Sequence, residues 1–359
     1  MSERRLRVLR LDGGARARGR AHGEAHAAEI RAYAAERVAL AAGGAWAGGR
    51  SATEADVLAL AARMMPAHRA YDADLVEEME GIAEAVGLPV EAVLVVGGFT
   101  DVVDTVRAAG GPAIEEDDCT SVIVPPHRTP GLGGLFAQTW DMHDSATPYV
   151  VVLDLRPDDA PAAKVFSTVG CLGQIGVNAA GITIGINNLV CTDGRLGVTW
   201  NFVVRKVLRQ TTLEAAVACV REAKLAGGHD YLLMDAAGRG VNLEATARVQ
   251  VEDWLGERPV VHTNHCLHPA TVAFEAKRDA GLLASSRDRL ATAERLLADG
   301  PVDVARLQAL LAEGTCICRH GEAPAHIETS GALVVRPSTR ELWATWGPPD
   351  GAPWERFEV

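Results

Sequence analysis

The first third of the chain has the periodicity of amphipathic helices. Apolar residues recur there at intervals of three and four positions, as at Leu75, Met79, Ile82 and Val86. This spacing places them on one face of a helix, which Gly87 and Pro89 end. Three further segments predict helices: 21–42, 53–65 and 89–104. Thr53 and Asp56 resemble a capping box at the start of the second segment. Residues 1–118 are therefore predicted to be mainly helical.

From residue 120 onward the pattern changes to short β-branched and alternating runs. Single strands are predicted at 120–124, 135–141, 149–155, 231–234, 240–245 and 260–263. The segment 176–188 predicts a hairpin with its turn at 178–181, and 331–336 with 341–346 predicts a final hairpin. Helices are predicted at 200–210, 213–224, 286–298 and 302–312. Because the strands come mostly as hairpins with helices grouped between them, we expect antiparallel sheets covered by helices.

Composition and charge narrow the function. The chain has 359 residues, 48% of them hydrophobic, and a net charge of −12. This charge argues against nucleic-acid and anionic-membrane partners, which need a dense basic face. The charged N-terminus lacks the apolar region of a secretory signal, and no apolar run reaches the roughly 18 residues of a membrane span. We therefore expect a soluble, cytoplasmic protein. The seven cysteines, an odd number, do not suggest a disulfide framework.

The candidate chemistry begins at an acidic linker. Gly110-Gly111-Pro112 is followed by four acidic residues within 115–118, and then by Cys119 at the start of a predicted strand. Three later segments carry polar residues of catalytic type: Gln138-Thr139-Trp140-Asp141-Met142-His143, Gly185-Ile186-Asn187-Asn188 and His262-Thr263-Asn264-His265.

Together these segments resemble the penicillin acyltransferase-like family of autoproteolytic N-terminal-nucleophile (Ntn) hydrolases. Gly19-Arg20-Ala21-His22-Gly23 is similar to the family's Gly-x-x-His-Gly element, and Trp346-Gly347-Pro348-Pro349 to its terminal Gly-x-Pro. The resemblance covers nearly the whole chain. The order and spacing of the motifs carry it, with Asp141 22 and Asn264 145 positions after Cys119.

The resemblance implies that Cys119 is both the cleavage point and the nucleophile. Its thiol would attack the Asp118 carbonyl to form a thioester, which water hydrolyses. The released α-amine has a reference pKa of about 7.7–8.0 and can serve as the general base for the thiol of the same residue. Asp141 would orient that amine, and Asn264 would donate its side-chain NH₂ to the oxyanion.

Asn178, Asn188 and Glu244 also match positions where the family favours these residue types. The candidates for a supporting or substrate-pocket role are Trp140, His143, Asn178, Asn188 and Glu244. Asn178, Asn188 and Glu244 also suit hairpin turns or strand ends, and His143 suits an exposed position. Asp118 departs from the family, whose relatives usually have glycine before the nucleophile. Aspartate adopts a strained backbone less readily than glycine, although its carboxylate could deprotonate the Cys119 thiol.

Three alternatives remain open at this stage. A metal could bind the cluster His262, His265, Cys266 and His268 or the cluster Cys316, Cys318 and His320, although neither has the paired spacing of a zinc module. Cys119 could instead pair with His262 or His265 in a thiol hydrolase that does not process itself. Finally, the chain could be a degenerate family member that only binds a ligand or a protein partner.

The resemblance implies an α+β fold, the four-layer αββα Ntn-hydrolase sandwich. Residues 1–118 would remain bound as the α chain, and 119–359 would form the β chain that carries the site, within one structural domain. The reaction would transfer an acyl group from a small N-acyl amide to water or to another amine. The family includes enzymes that act on penicillins and on β-alanyl amines. An acyl-coenzyme A or amine co-substrate and a homo-oligomer are compatible with it, and it implies neither a cofactor nor a metal.

Overall fold

Two β-sheets and their covering helices build the structure, a computed structural model that describes residues 5–43, 52–108, 119–322 and 326–359. The strands are β1 (Val8–Gly13), β2 (Thr120–Val124), β3 (Leu135–His143), β4 (Val150–Pro157), β5 (Ala163–Thr168), β6 (Ile175–Asn178), β7 (Thr183–Leu189), β8 (Gly228–Met234), β9 (Gly240–Ala245), β10 (Gln250–Trp254), β11 (Val260–His262), β12 (Ile327–Arg336), β13 (Glu341–Ala344) and β14 (Glu355–Glu358). The helices are α1 (Ala15–Ala25), α2 (Ala27–Gly43), α3 (Glu54–Tyr71), α4 (Ala73–Val86), α5 (Val90–Gly97), α6 (Phe99–Ala108), α7 (Trp200–Val207), α8 (Leu213–Arg221), α9 (Pro269–Val272), α10 (Ala280–Leu297) and α11 (Val304–Leu311).

The strands pair almost entirely in the antiparallel sense. The larger sheet has the order β1-β4-β5-β6-β7-β8-β9-β10, and the smaller has the order β11-β2-β3-β12-β13-β14. Within the described residues, the parallel pair of named strands is β1 with β4. Strand β1 comes from the segment before Cys119, so that segment is part of the larger sheet.

The two sheets pack face to face between helices. Ile123 of β2 and Phe136 of β3 point toward the larger sheet, where Gly240 and Gly185 leave room for their side chains. The alternate residues of β2 and β3 pack instead against α10 and α11, in a cluster that includes Val122 and Ala137 with Leu307 and Leu310. On the far side, α7 and α8 cover the larger sheet. The structure therefore confirms the predicted α+β fold with four layers in the order helix, sheet, sheet, helix.

The side chain of Gln138 crosses the space between the sheets. The amide of Gln138 in β3 accepts a hydrogen bond from the main-chain nitrogen of Ile186 in β7 at 3.1 Å and donates to the carbonyl oxygen of the same residue. A pair of bonds to one residue satisfies a buried amide and fixes the offset between the two sheets. This bridge lies two residues from Trp140 and one residue from Asn187, so it helps to position the site.

The Gly-x-x-His-Gly element is a packing element in this structure. A Cβ atom on Gly19 would lie 1.9 Å from the carbonyl oxygen of Glu78, so only glycine lets α1 cross α4 this closely. Gly23 meets Ile82 of α4 in the same way. His22 is buried and accepts a hydrogen bond from the main-chain nitrogen of Gly170 at 2.9 Å. These contacts tie the helical segment to the residues that follow Cys119.

Most predicted elements are confirmed, and the differences have local causes. The capping box of Thr53 with Asp56 is present, β9 has the predicted bounds, and β6 and β7 form the predicted hairpin. The predicted helix over 89–104 is instead two helices, α5 and α6, which meet at Gly98. Four strands were not predicted: β1, β5, β10 and β14. The acidic linker and Asp118 lie outside the described residues. In the part of the chain that is described, no helix is long and apolar enough to cross a bilayer.

Candidate active site

Cys119 lies directly before β2 at the end of the smaller sheet. Its side chain is buried, with 1% of its surface exposed. Thr120 pairs with Thr139 in the ladder of β2 and β3, and the next pair in this register would be Cys119 with Trp140. Trp140 is also buried and packs edge-on against Phe166, with 6.1 Å between the ring centroids. The candidate nucleophile and the candidate tryptophan are therefore neighbours in the core.

A short hydrogen bond joins Cys119 to Asn264. The main-chain nitrogen of Cys119 donates to the side-chain oxygen of Asn264 at 2.6 Å. Strands β11 and β2 pair His262 with Ser121, and this register carries Asn264 to the level of Cys119. The NH₂ group of Asn264 donates to the carbonyl oxygen of Asn188 at 3.1 Å. In this geometry the oxygen of Asn264 serves Cys119, whereas the sequence-based expectation used its NH₂ group.

Two residues of α10, which the sequence analysis missed, hold this contact in place. Arg289 is fully buried and donates to the Asn264 side-chain oxygen at 3.0 Å, to the Thr120 hydroxyl at 3.1 Å and to the Cys119 carbonyl oxygen. Ser286, one turn earlier, accepts a hydrogen bond from the Asn264 main-chain nitrogen at 2.9 Å. Because two donors converge on the Asn264 oxygen, the orientation of its amide is fixed by the surrounding hydrogen bonds.

Asp141 lies on the other side of the nucleophile's strand. Its carboxylate is fully buried near the end of β3 and accepts a hydrogen bond from the Thr139 hydroxyl at 3.5 Å. The same hydroxyl accepts one from the main-chain nitrogen of Thr120 at 3.1 Å. The Thr139 side chain thus connects Asp141 to Thr120, the residue after Cys119. The structure brings Cys119, Asp141 and Asn264 to one end of the smaller sheet.

A buried group of charged and polar side chains extends from β2 to the edge of the sandwich. Asn187 donates to both the Ser121 hydroxyl at 2.5 Å and the Asp230 carboxylate at 2.9 Å. His262 is 3.5 Å from Asp230 and bonds to Glu244 at 2.9 Å. Glu244 also accepts hydrogen bonds from Leu267 and His268, in the loop before α9, and from Thr271 of α9. The group therefore ties the loop after Asn264 to the strand that follows Cys119.

The charges in this group shift one another's pKa values. Burial by itself would lower the pKa of His262, but the Asp230 charge and the hydrogen bond to Glu244 raise it to about 9. Burial by itself would raise the pKa of Glu244, and His262 together with the bonds from Thr271 and Leu267 lowers it to about 2. Burial raises the pKa of Asp230 to about 7, although His262 opposes this. At neutral pH, His262 is thus an imidazolium paired with the Glu244 carboxylate.

The geometry of the two histidines bears on the alternative of a Cys-His pair. Both ring nitrogens of His262 are engaged, with the Thr263 carbonyl oxygen at 2.8 Å and with Glu244. An imidazolium in these contacts has no lone pair with which to take a proton. Burial, with the neighbouring positive charges, lowers the pKa of His265 to about 4, and its Nδ1 lies 2.8 Å from the Ser286 hydroxyl. His262 is therefore not arranged as the base that this alternative requires, and Nδ1 of His265 is engaged by Ser286.

Two of the predicted supporting residues lie apart from this group. Asn178 is at the far end of the β6–β7 hairpin, where its side chain bonds to the main chain of the turn and of residues 208 and 210. His143 is 6% exposed, not exposed as expected, and its Nδ1 is 3.3 Å from Arg37 of α2. Burial and the Arg37 charge lower its pKa to about 3. Asn188 and Glu244, in contrast, contact the group around Asn264.

A cleft opens at the edge of the sandwich beside the buried charges. It has a volume of about 440 Å³ and lies between β11 and the β9–β10 pair. Glu244 and His262 line it together with Asn242, Asp253 and His268. His262 pairs with Ser121, so the inner end of the cleft is two positions along β2 from Cys119. This volume is in the range of pockets that hold small molecules.

The chain is similar to known proteins in sequence. A family model described as acyl-coenzyme A:6-aminopenicillanic acid acyl-transferase matches residues 128–350. A protein of Emericella nidulans named acyl-coenzyme A:6-aminopenicillanic-acid-acyltransferase 40 kDa form is 28% identical over 196 residues. The match covers 53% of this chain and 51% of that protein, so the chain spans about half the length of this curated relative.

Two solved structures are also similar to this one. A mutant of conjugated bile acid hydrolase from Clostridium perfringens is 10% identical, with a TM-score of 0.48 over 67% of this chain and 97% of that one. Penicillin V acylase from Agrobacterium tumefaciens is 14% identical, with a TM-score of 0.39 over 64% and 82%.

Proposed function

This chain belongs to the acyl-coenzyme A:6-aminopenicillanic acid acyl-transferase family, and on that basis we propose that it is a self-processing amide hydrolase or N-acyltransferase. The nucleophile is the thiol of Cys119, set free by cleavage of the bond between Asp118 and Cys119. The substrate is a small N-acyl amide or an acyl-coenzyme A thioester. The acceptor of the acyl group is water or an amine.

Processing follows from the chemistry of a cysteine that lies next to a peptide carbonyl. The Cys119 sulfur attacks the carbonyl carbon of Asp118, the peptide C–N bond breaks, and the nitrogen takes up a proton to become an amine. Water then hydrolyses the thioester, which leaves a carboxylate on Asp118 and a thiol on Cys119. The new α-amine lies in the same residue as the thiol and can take its proton in each later turnover. Its reference pKa of about 7.7–8.0 suits a base that works near neutral pH.

The position of Asn264 is the observation that carries the proposal. Its side-chain oxygen already holds the nitrogen that cleavage would convert into the base. The N–H···O hydrogen bond to that oxygen can persist when the amide becomes an amine, so the base stays fixed beside the thiol. Arg289 holds the same oxygen from the other side. We propose that Asn264 orients the base and that Asp141 stabilises its protonated form through charge.

The assignment of Asn264 as oxyanion donor requires a different state of its side chain. The NH₂ group would have to leave the carbonyl oxygen of Asn188, to which it now donates at 3.1 Å. Acyl transfer ordinarily needs such a donor about 3 Å from the position of the developing oxyanion. We propose that the NH₂ group can contribute there only after Asn264 shifts toward a bound substrate.

Intact mass spectrometry tests the processing step. Wild-type protein should resolve into fragments 1–118 and 119–359, and the Cys119→Ala variant should remain one chain. Incubation of processed protein with a panel of N-acyl amides, followed by rapid acid quench, should add one acyl mass to the larger fragment. Wild-type protein that stays a single chain but turns over amides would contradict self-processing. Processed protein that turns over no member of the panel would favour a ligand-binding role.

Hydrolysis and acyl transfer are separated by competition for the same acyl-enzyme. With a fixed amide or acyl-coenzyme A donor, increasing concentrations of an acceptor amine should divert product from the free acid to the new amide. A product ratio that follows amine concentration assigns the transferase activity. If the product remains the free acid at every amine concentration, the activity is that of a hydrolase, because water then reaches the thioester faster than the amine does.

A further inference from the structure

Three side chains with metal-binding atoms meet at the surface beside the smaller sheet. They are Cys318 and His320, in the segment before β12, and Asp350, in the turn after β13. One sulfur, one nitrogen and one carboxylate oxygen of these residues all lie within 4.8 Å of one another. The sequence grouped Cys318 and His320 with Cys316, which is not part of this cluster in the structure. The fold adds Asp350, which is 32 positions away from Cys318 in the sequence.

The backbone around these residues is held in place by contacts of its own. The main-chain nitrogen of Cys318 donates to the Glu313 carbonyl oxygen at 2.8 Å, and that of Arg319 donates to the Thr329 hydroxyl of β12 at 2.9 Å. The turn that carries Asp350 is closed by bonds from residues 351 and 352 to the Pro348 carbonyl oxygen. The backbone that carries the three ligand residues is therefore already ordered, so metal binding would cost little further conformational entropy.

The separations suit a small tetrahedral ion. Zinc binds sulfur at about 2.3 Å and nitrogen or carboxylate oxygen at about 2.0–2.2 Å, so ligand atoms in a tetrahedral site are about 3.3–3.7 Å apart. His320 Nε2 and Asp350 Oδ2 are 2.8 Å apart and need to separate by about half an ångström. Both side chains can do this, because they are 56% and 37% exposed. Cys318 is buried at 4% exposed and forms the floor of the site.

We propose that Cys318, His320 and Asp350 form a binding site for Zn²⁺, with water as the fourth ligand. One thiolate, one imidazole and one carboxylate are the ligand set that zinc accepts, and a hard cation such as Mg²⁺ would not select the sulfur. On binding, the Cys318 thiol releases its proton to solvent and a sulfur–zinc bond forms. His320 binds as the neutral imidazole and Asp350 as the carboxylate. No electron is transferred.

The site does not include the candidate catalytic residues Cys119, Asp141 and Asn264, but it lies close to Asp141. Thr329, which anchors the segment of Cys318, pairs with Asp141 in the ladder of β12 and β3. Bound zinc would join the segment before β12 to the turn after β13 and so stabilise this end of the smaller sheet. The test of this site measures metal binding and does not depend on activity.

Metal titration of the Cys119→Ala variant tests the proposal, because this background removes the candidate nucleophile as a competing thiol. Zn²⁺ should bind with a stoichiometry of one in calorimetry and raise the melting temperature. Co²⁺ in its place should give the intense visible bands of a tetrahedral ion and a sulfur-to-metal charge-transfer band in the near ultraviolet. His320→Ala and Asp350→Asn change exposed ligands and should each lower the affinity for Zn²⁺ by at least about tenfold. Cys318→Ser should in addition abolish the charge-transfer band.

Two matched controls decide whether the binding belongs to this site. Cys316 is close in sequence but contacts Glu313, and His326 is an exposed histidine paired with Asp144. Cys316→Ser and His326→Ala should bind Zn²⁺ as the background protein does. The proposal is overturned if the background protein binds no Zn²⁺ at micromolar concentration. It is equally overturned if His320→Ala and Asp350→Asn bind as tightly as the controls.

Discussion

The main-chain nitrogen of Cys119 lies 2.6 Å from the side-chain oxygen of Asn264, although the two residues are 145 positions apart. Neighbouring strands bring them together, and Arg289 and Ser286 of α10 hold Asn264 from the helical side. A hydrogen bond from this nitrogen matters more than one from an ordinary amide, since processing would turn the nitrogen into the catalytic base. We therefore expect Asn264 to hold this nitrogen both before and after cleavage.

The Asn264→Ala variant tests that role. Without the acceptor, the amine of processed protein loses its fixed orientation, and misplacement of a catalytic group by about 1 Å can cost about 10²-fold in rate. We expect kcat to fall by at least about 10²-fold while KM changes little. Steady-state kinetics on the processed fraction measures this. Asn178→Ala is the matched control, because it removes a buried asparagine at the far end of the sandwich and should lower thermal stability without lowering kcat.

Arg289→Lys tests whether the bridge between Cys119 and Asn264 needs the shape of the guanidinium. Arg289 reaches both the Asn264 oxygen and the Cys119 carbonyl oxygen, and a lysine ammonium cannot span two acceptors in the same planar way. We expect slower processing, followed by mass spectrometry over time, and a kcat lower by about tenfold, which is about 1.4 kcal/mol.

The control for this substitution lies on the same helix. Arg295 has an exposed side chain on α10, and Arg295→Lys should change neither processing nor kcat. Equal effects of the two substitutions would mean that Arg289 supports the helix and not the nucleophile.

The pKa shifts of the buried charges predict how stability depends on pH. His262 has a pKa near 9 in the folded protein against its usual 6.5, so its stabilising contribution is complete below about pH 6.5 and is lost as the pH rises through 9. Asp230 acts in the same direction at lower pH, because its pKa is raised from 3.8 to about 7 and its contribution falls as the pH rises through that range. The free energy of unfolding, measured by urea titration, should fall between pH 6.5 and 9. The fall due to His262 is on the order of 3 kcal/mol.

The His262→Gln variant distinguishes the pH dependence caused by His262 from that caused by other titrating groups. His262→Gln should unfold more easily at pH 6 and should lack most of the decline between pH 6.5 and 9. His127→Gln, which changes an exposed histidine, should keep the wild-type slope. If His262→Gln and wild type lose stability in parallel over this range, then the imidazolium pair with Glu244 does not contribute to it.

The fold could be predicted further from the sequence than the site could. The helix over 73–86 and the hairpin within 176–188 were predicted correctly. Their signals, the helical spacing of apolar residues and the turn asparagine, come from residues that are close in the sequence. Strand β1 has no such local signal, since its place at the edge of the larger sheet is set by pairing with β4, more than 130 positions later. The resemblance to a known family indicated Cys119, Asp141 and Asn264, which the structure brings to one end of a sheet.

The residues that contact Cys119 and Asn264 had no comparable signal in the sequence. Arg289 lies in an ordinary amphipathic helix, and nothing in its neighbours distinguishes a buried arginine from the exposed Arg287 and Arg295. The acceptor role of the Asn264 oxygen depends on the direction of an amide, which only the surrounding donors fix. Spacing in a sequence can thus indicate which residues meet, but the contacts between them require coordinates.

A buried group of charges would connect the two fragments that processing produces. Glu78 of α4 accepts hydrogen bonds from Arg18 of α1 and from Arg205 of α7, and all three side chains are buried. Arg205 would belong to the larger fragment and the other two residues to the smaller one, so this contact joins the fragments. Strand β1, which pairs with β4, joins them as well. We expect the processed fragments to elute together in gel filtration and to separate only in denaturant.

The Glu78→Ala variant tests the contribution of this contact. Removing the carboxylate leaves two buried arginines without their partner, which typically costs about 3–5 kcal/mol. The melting temperature should fall clearly, and processed variant should release the smaller fragment at lower urea concentration than processed wild type does. Glu84→Ala removes a carboxylate of the same helix that pairs with Arg16 at an exposed position, where such pairs contribute at most about 1 kcal/mol. If the two variants behave alike, β1 and the apolar contacts hold the fragments together and the Glu78 charge does not.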